Sequence, residues 1–109
     1  MAESVSSQLK KGVLDLCVLA LLAQQDRYAY EIAALLAETV DMGEGTIYPL
    51  MRRLQQTGMV GTYLQESPSG PPRKYYTITA AGRDAISNQK REWQQFCEAV
   101  NRILGGEND

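Results

Sequence analysis

Four cations mark the middle third of this 109-residue chain: Arg52 and Arg53, then Arg73 and Lys74. Between residues 43 and 79 they face only two acids, Glu44 and Glu66. A guanidinium is a planar fork of donors that clamps a phosphate or a guanine edge with two parallel bonds. An ammonium is a compact point charge that suits phosphate. Thr46 and Tyr48 precede the arginine pair, and their side chains suit a phosphate backbone or a thymine methyl. The chemistry on offer is recognition of a polyanion. Catalysis is poorly provided for: the chain has no histidine, and it carries no nucleophile–base pair, phosphate-cradling loop or metal-ligand spacing. The expectation is a protein that is not an enzyme, with no cofactor and no metal.

The arginine pair belongs to a two-faced helix. Ile47, Leu50, Met51 and Leu54 fall at helical spacing on one side, leaving Thr46, Tyr48, Pro49, Arg52 and Arg53 on the other. Thr57-Gly58 ends it, with Gly58 suited to a left-handed cap. Pro49 lacks an amide proton and disfavours helical geometry at Tyr48. Either the regular helix starts near Thr46, or its first turn is loose and one backbone bond is missing. Both place Tyr48 and Pro49 near the leading end, which helix–turn–helix proteins point at a groove. Net charge is −2, so attraction for a polyanion has to be local. Residues 1–42 hold three basic and six acidic side chains, and residues 80–109 hold four and five.

The elements that must position this helix follow in order. Residues 1–8 are polar and serine-rich, and read as a flexible N-terminus. A helix over residues 9–24 is apolar nearly all round by its last two turns, so something must cover its second face, a core or a partner subunit. Its Lys10 and Lys11 are candidates for an added phosphate contact. Residues 25–27 read as a turn. Tyr28, Ile32, Leu35 and Leu36 make a second amphipathic helix over residues 28–39, and a short turn leads into the arginine helix, a helix–turn–helix. After Gly58 the period switches to two. Val60, Thr62 and Leu64 alternate with Met59, Gly61 and Tyr63, the breaker cluster SPSGPP spans residues 67–72, and residues 73–78 alternate again with Tyr76 and Ile78 on the core face. This is a hairpin wing opening its second strand with Arg73 and Lys74.

Thr79 caps a last helix over residues 80–104. Ile86, Gln89, Trp93, Phe96, Val100 and Ile103 step by three and four, a heptad seam with Gln89 its one polar member. At about 1.5 Å per residue the helix is roughly 37 Å long, too long to lie wholly on so small a domain, so it should find a second copy of the chain. Trp93 at mid-seam has two readings. One is plain dimer core; the other is a ligand platform, two symmetry-related rings sandwiching a flat aromatic molecule with Gln89 and Phe96 beside it. Gly105-Gly106 opens a flexible tail, residues 105–109. Cys17 and Cys97 match no zinc spacing and read as packed, reduced thiols. Residues 1–11 lack a signal-peptide core, and the apolar run 13–23 is too short to span a bilayer and carries Asp15. A cytoplasmic chain with no membrane association is expected.

The fold class is thus mostly α with a small β-hairpin: residues 9–79 a winged helix–turn–helix, residues 80–104 a dimerisation helix. With those parts in place, the chain resembles the PadR family of bacterial transcriptional regulators. The likeness rests on Glu44-Gly45-Thr46-Ile47-Tyr48-Pro49-Leu50 leading into Arg53-Leu54, on Arg73-Lys74-Tyr75-Tyr76 followed by Thr77-Ile78-Thr79 and Gly82, and on Tyr30-Glu31-Ile32. The single terminal helix is similar to the short subfamily. Relatives commonly carry glycine where this chain has Ala29. The resemblance implies a homodimer that represses promoters by binding an inverted repeat in double-stranded DNA. It implies that Tyr48 and its neighbours, with Arg73 and Lys74, meet that DNA, and, for some members, that a small aromatic effector releases it. Which of Arg52 and Arg53 reads a base is left open. The alternative is a winged-helix module that binds protein rather than DNA.

Overall fold

The computed structural model describes residues 5–42 and 44–105, and the side chains of residues 13–42 and 45–105. The chain runs α1 (Val5–Gln24), β1 (Arg27–Tyr28), α2 (Ala29–Val40), α3 (Glu44–Gln56), β2 (Val60–Ser67), β3 (Gly70–Ile78) and α4 (Ala80–Ile103). Helix α1 begins at Val5, earlier than its apolar periodicity foretold, so residues 5–8 of the expected flexible N-terminus are helical. The expectations for residues 1–4 and 106–109 lie outside the described residues.

One core holds the helices and the base of the hairpin together. Val18, Leu19 and Leu22 of α1 meet Ile32 and Leu36 of α2, Ile47, Met51 and Leu54 of α3, and Val60, Tyr76 and Ile78 of the hairpin, all buried. These are the positions the helical and alternating periods single out. Helix α3 stops as its sequence requires. Gly58 takes φ 80°, its N–H donates to the Gln55 carbonyl at 3.1 Å and that of Met59 to the Leu54 carbonyl at 3.0 Å. That is a Schellman closure, with Met59 and Leu54 as its apolar pair.

The sheet has three strands, in the order β1-β3-β2. The expected turn at residues 25–27 is corrected here: Arg27 and Tyr28 pair antiparallel with Tyr76 and Tyr75 of β3. Arg27 also ties helices together. Its Nε donates to the Leu21 carbonyl at the end of α1 at 3.1 Å, and its guanidinium lies 3.6 Å from Glu31 in the first turn of α2. A cation at a helix C-terminus and an acid at an N-terminus both suit the helix dipoles. The hairpin is longer than the breaker cluster suggested. Ser67 pairs with Gly70, so the turn is only Pro68-Ser69, and Pro71 and Pro72 lie in β3. They fit because the register shifts there, two residues opposing Glu66 between the Gln65–Arg73 and Ser67–Gly70 pairs. Prolines lack ladder donors, and a bulge beyond the short reach of β1 asks for none.

Helix α4 starts at a built junction. The Thr79 side chain accepts from the Gly82 N–H at 3.1 Å, and its hydroxyl faces the Gly58 and Met59 carbonyls at 2.7 and 3.0 Å. The capping residue therefore also fixes α4 to the end of α3. Near its start, α4 rests Ala85 and Ile86 on the core. Further along it leaves the body, and the molecule extends 53 Å along its longest axis. The apolar seam emerges with it: Trp93 is 40 % exposed, Phe96 60 % and Ile103 84 %.

Candidate nucleic-acid interface

Helix α3 presents two unlike sides. Ile47 and Met51 are fully buried, whereas Thr46, Tyr48, Pro49 and Arg52 are exposed. The helix begins at Glu44 with Pro49 inside it, so of the two alternatives the missing backbone bond is the one realised. A proline at position 49 cannot donate to the Gly45 carbonyl. Tyr48, 41 % exposed, stands at this leading end.

Arg53 is placed differently from Arg52. Its guanidinium donates to Asp15 of α1 at 2.6 Å, a partner 38 positions away in sequence. The residue expected as a second phosphate or guanine clamp is thus turned to the α1 side and paired, and Arg52 is the α3 guanidinium left on the open face. Lys10 and Lys11 lie in α1, with side chains outside the described residues.

In the wing, Arg73 and Lys74 point to opposite faces of the strand, as successive residues must. The Arg73 guanidinium sits 4.7 Å from the centre of the Tyr28 ring, and the Lys74 ammonium 5.5 Å from that of Tyr76. Both side chains remain exposed. Resting a cation on a ring face orders its stem and leaves its N–H groups to donate. Arg73 joins an aromatic row that sequence reasoning missed. Tyr28, Tyr75 and Tyr63 sit side by side across β1, β3 and β2, with ring centres 5.4 and 5.7 Å apart, and Tyr30 stacks beyond Tyr28 at 6.4 Å. The clue lies in β1: once Tyr28 pairs with Tyr75, the register places the three rings on one face. The Tyr63 hydroxyl donates to Asp26 at 2.8 Å, and that bond to a carboxylate, with lesser help from burial, raises the phenol's pKa.

Gln89, Trp93 and Phe96 line a space within one protomer, which is not the expected sandwich between two symmetry-related rings. An open space of about 530 Å³ lies between α1, α3 and α4, lined by those three with Val13, Asp15, Leu16, Arg53 and Glu92. A second of about 530 Å³ flanks Trp93 on its other side, toward Ala20, Ile86 and Lys90. The Gln89 Oε1 is buried without a hydrogen-bond partner among the described residues. Such an oxygen costs free energy until a donor reaches it. Cys17 is half-buried, and burial raises its thiol pKa, which keeps it protonated and unreactive. Among the described residues there is no metal-holding cluster, and no helix is long and apolar enough to cross a membrane.

A helix–turn–helix whose second helix turns hydroxyls and a guanidinium outward, with a cation-bearing hairpin and a terminal helix exposing an apolar seam, defines a winged-helix DNA-binding regulator. The family model of the PadR-like transcriptional regulators matches residues 18–88. A crystal structure of a PadR-like transcriptional regulator from Bacillus cereus superposes with a TM-score of 0.83 at 37 % identity, over 92 % of this chain and 99 % of that one. A Lysinibacillus sphaericus protein is 30 % identical over 94 % of this chain and 97 % of its own. A transcriptional regulator of Mycobacterium tuberculosis is 33 % identical over 58 % of this chain and 55 % of its own. The chain belongs to the PadR-like family: it is a DNA-binding transcriptional regulator and not an enzyme.

Proposed function

We propose that this protein is a cytoplasmic homodimeric repressor that grips an inverted-repeat operator and lets go when a small aromatic molecule occupies the Trp93 cavity. Residues 9–79 form the DNA-binding unit and residues 80–104 the dimerisation helix. Thr46, Tyr48 and Arg52 enter the major groove, and Arg73 and Lys74 hold phosphate beside the minor groove. The single observation that carries this reading is the division of α3, with Ile47 and Met51 fully buried while Thr46, Tyr48 and Arg52 are exposed. The exposed seam of α4 supports the dimer, since large apolar side chains on a projecting helix are otherwise left in water. The cavity supports the effector, having aromatic walls in Trp93 and Phe96.

Salt dependence tests the DNA half of this reading. Arg73 and Lys74, counted twice in a dimer, release condensed ions from about four phosphates. Affinity for a duplex carrying the chain's own upstream region should then fall about 10²-fold between roughly 50 and 200 mM salt. Binding indifferent to salt, or none, would favour the protein-partner alternative. Repeating the titration with a panel of planar aromatics tests release: at least one should weaken the complex, and a panel without effect removes the effector.

A further inference from the structure

We infer that Tyr28 is a positioning residue for DNA binding: its ring holds the Arg73 guanidinium ready for a phosphate, so β1 presets a contact that the wing makes. This rests on the phosphate role proposed for Arg73 above. β1 pairs with β3 only at Tyr76 and Tyr75. Arg73 lies two residues beyond that reach, opposite Gln65 and beside the register shift. There the wing is a two-stranded ribbon, which is marginal in water on its own. Yet the Arg73 guanidinium reaches back to 4.7 Å from the centre of the Tyr28 ring. That ring is itself held on several sides. Tyr75 meets it at 5.4 Å, and Tyr30 stacks on it at 6.4 Å. Tyr63 stacks on Tyr75 at 5.7 Å, and its hydroxyl donates to Asp26, two residues before Tyr28. The row thus runs from β2 across β3 and back to the segment that leads into β1. Lys74 has no such dependence: the Tyr76 ring beside it belongs to the wing's own strand and is buried in the core.

The effect follows from entropy and geometry. An arginine side chain loose in water samples many rotamers, and gripping a phosphate freezes them. Seated on a ring face, the guanidinium has already lost much of that freedom. Its N–H groups lie in its own plane and stay open to a phosphate. Arg73 remains exposed, so a phosphate can reach those donors without displacing the ring. The phosphate touches Arg73, and Tyr28 acts through it. Losing the ring therefore keeps the charge, and with it the number of ions released, while the cost of ordering returns. Losing the charge changes affinity and salt slope together.

The test uses the whole protein and a labelled duplex from the upstream region, with anisotropy titrations between roughly 50 and 200 mM salt. Arg73→Ala should weaken binding about fiftyfold at roughly 100 mM salt and lower the salt slope by about two, one phosphate per protomer. Tyr28→Leu should weaken binding about tenfold and leave the slope unchanged. Tyr28→Phe keeps the ring and should bind like the wild type. In an Arg73→Ala background, Tyr28→Leu should have no further effect. A wild type that does not bind, or an Arg73→Ala protein that binds equally well, overturns the phosphate contact and this inference with it. A weakened Arg73→Ala beside an unaffected Tyr28→Leu overturns the inference alone. So does tighter binding by Tyr28→Leu, since the ring would then withhold Arg73 from DNA. A loss from Tyr28→Leu that persists in the Arg73→Ala background, as a folding defect would give, also overturns it, and so does a Tyr28→Phe protein as weak as Tyr28→Leu.

Discussion

Replacing Arg52 with alanine should lower affinity for the upstream duplex by about two to four powers of ten and leave the dimer's mass unchanged. A guanidinium clamping a guanine edge contributes about 1–3 kcal/mol per contact, and a dimer loses two such contacts. The open placement of Arg52 on α3 is the reason for choosing it, and the Asp15 partner of Arg53 is the reason the two arginines part company. Arg53→Ala should reduce affinity far less, and the double variant should bind little worse than Arg52→Ala alone. Fluorescence anisotropy gives the affinities and sedimentation the mass. An Arg52→Ala protein that binds like the wild type would take α3 out of the groove.

Replacing Gly82 with alanine should unfold much of what α4 holds. A methyl built at Gly82 would overlap the Met59 carbonyl oxygen outright and come within 2.7 Å of Ile78 Cγ1. That oxygen is part of the main chain and accepts from the Thr79 N–H at 3.1 Å and faces its hydroxyl at 3.0 Å. It cannot retreat without loosening the junction between α3, the sheet and α4. Alanine's better helix propensity returns about 1 kcal/mol, whereas forced overpacking against backbone costs about 3 kcal/mol or more. The overlap wins. At fixed protein concentration the melting temperature should fall about 10–15 °C, read by circular dichroism. Gly45→Ala is the control, since nothing lies within 4 Å of its added methyl, and it should melt no lower than the wild type.

Much of this architecture was legible in the order of residues because two periods do most of the sorting. Ile47, Leu50, Met51 and Leu54 repeat as a helix, Tyr76 and Ile78 as a strand, and all six are buried. Capping chemistry at Gly58 and Thr79 marked the ends of α3 and the start of α4. What escaped is non-local. A two-residue strand such as β1 is too short to show alternation, so Arg27 and Tyr28 looked like a turn and the start of a helix, and the tyrosine row went unseen. Pro71 and Pro72 read as breakers, because only the register with β2 reveals the bulge that admits them. Charge pairing along a helix is visible at three or four residues' spacing, and nothing in that spacing announces that Arg53 faces Asp15. The site was legible in part for the same reason. Side-chain type proposed Arg52 and Arg53 alike, and tertiary packing separated them. Gln89 stood out as a polar residue on an apolar seam; the residue lines the space beside Trp93, while its Oε1 is buried and unpartnered among the described residues.

Hydroxyl-radical footprinting of the protein on its own upstream region tests the central claim most directly, that two copies present their α3 helices and wings to one face of a duplex. Protection should appear as two equivalent patches related by a dyad, centred about 34 Å apart, one turn of the double helix. A lone patch with no symmetric counterpart, or cleavage identical to that of free DNA, would contradict it.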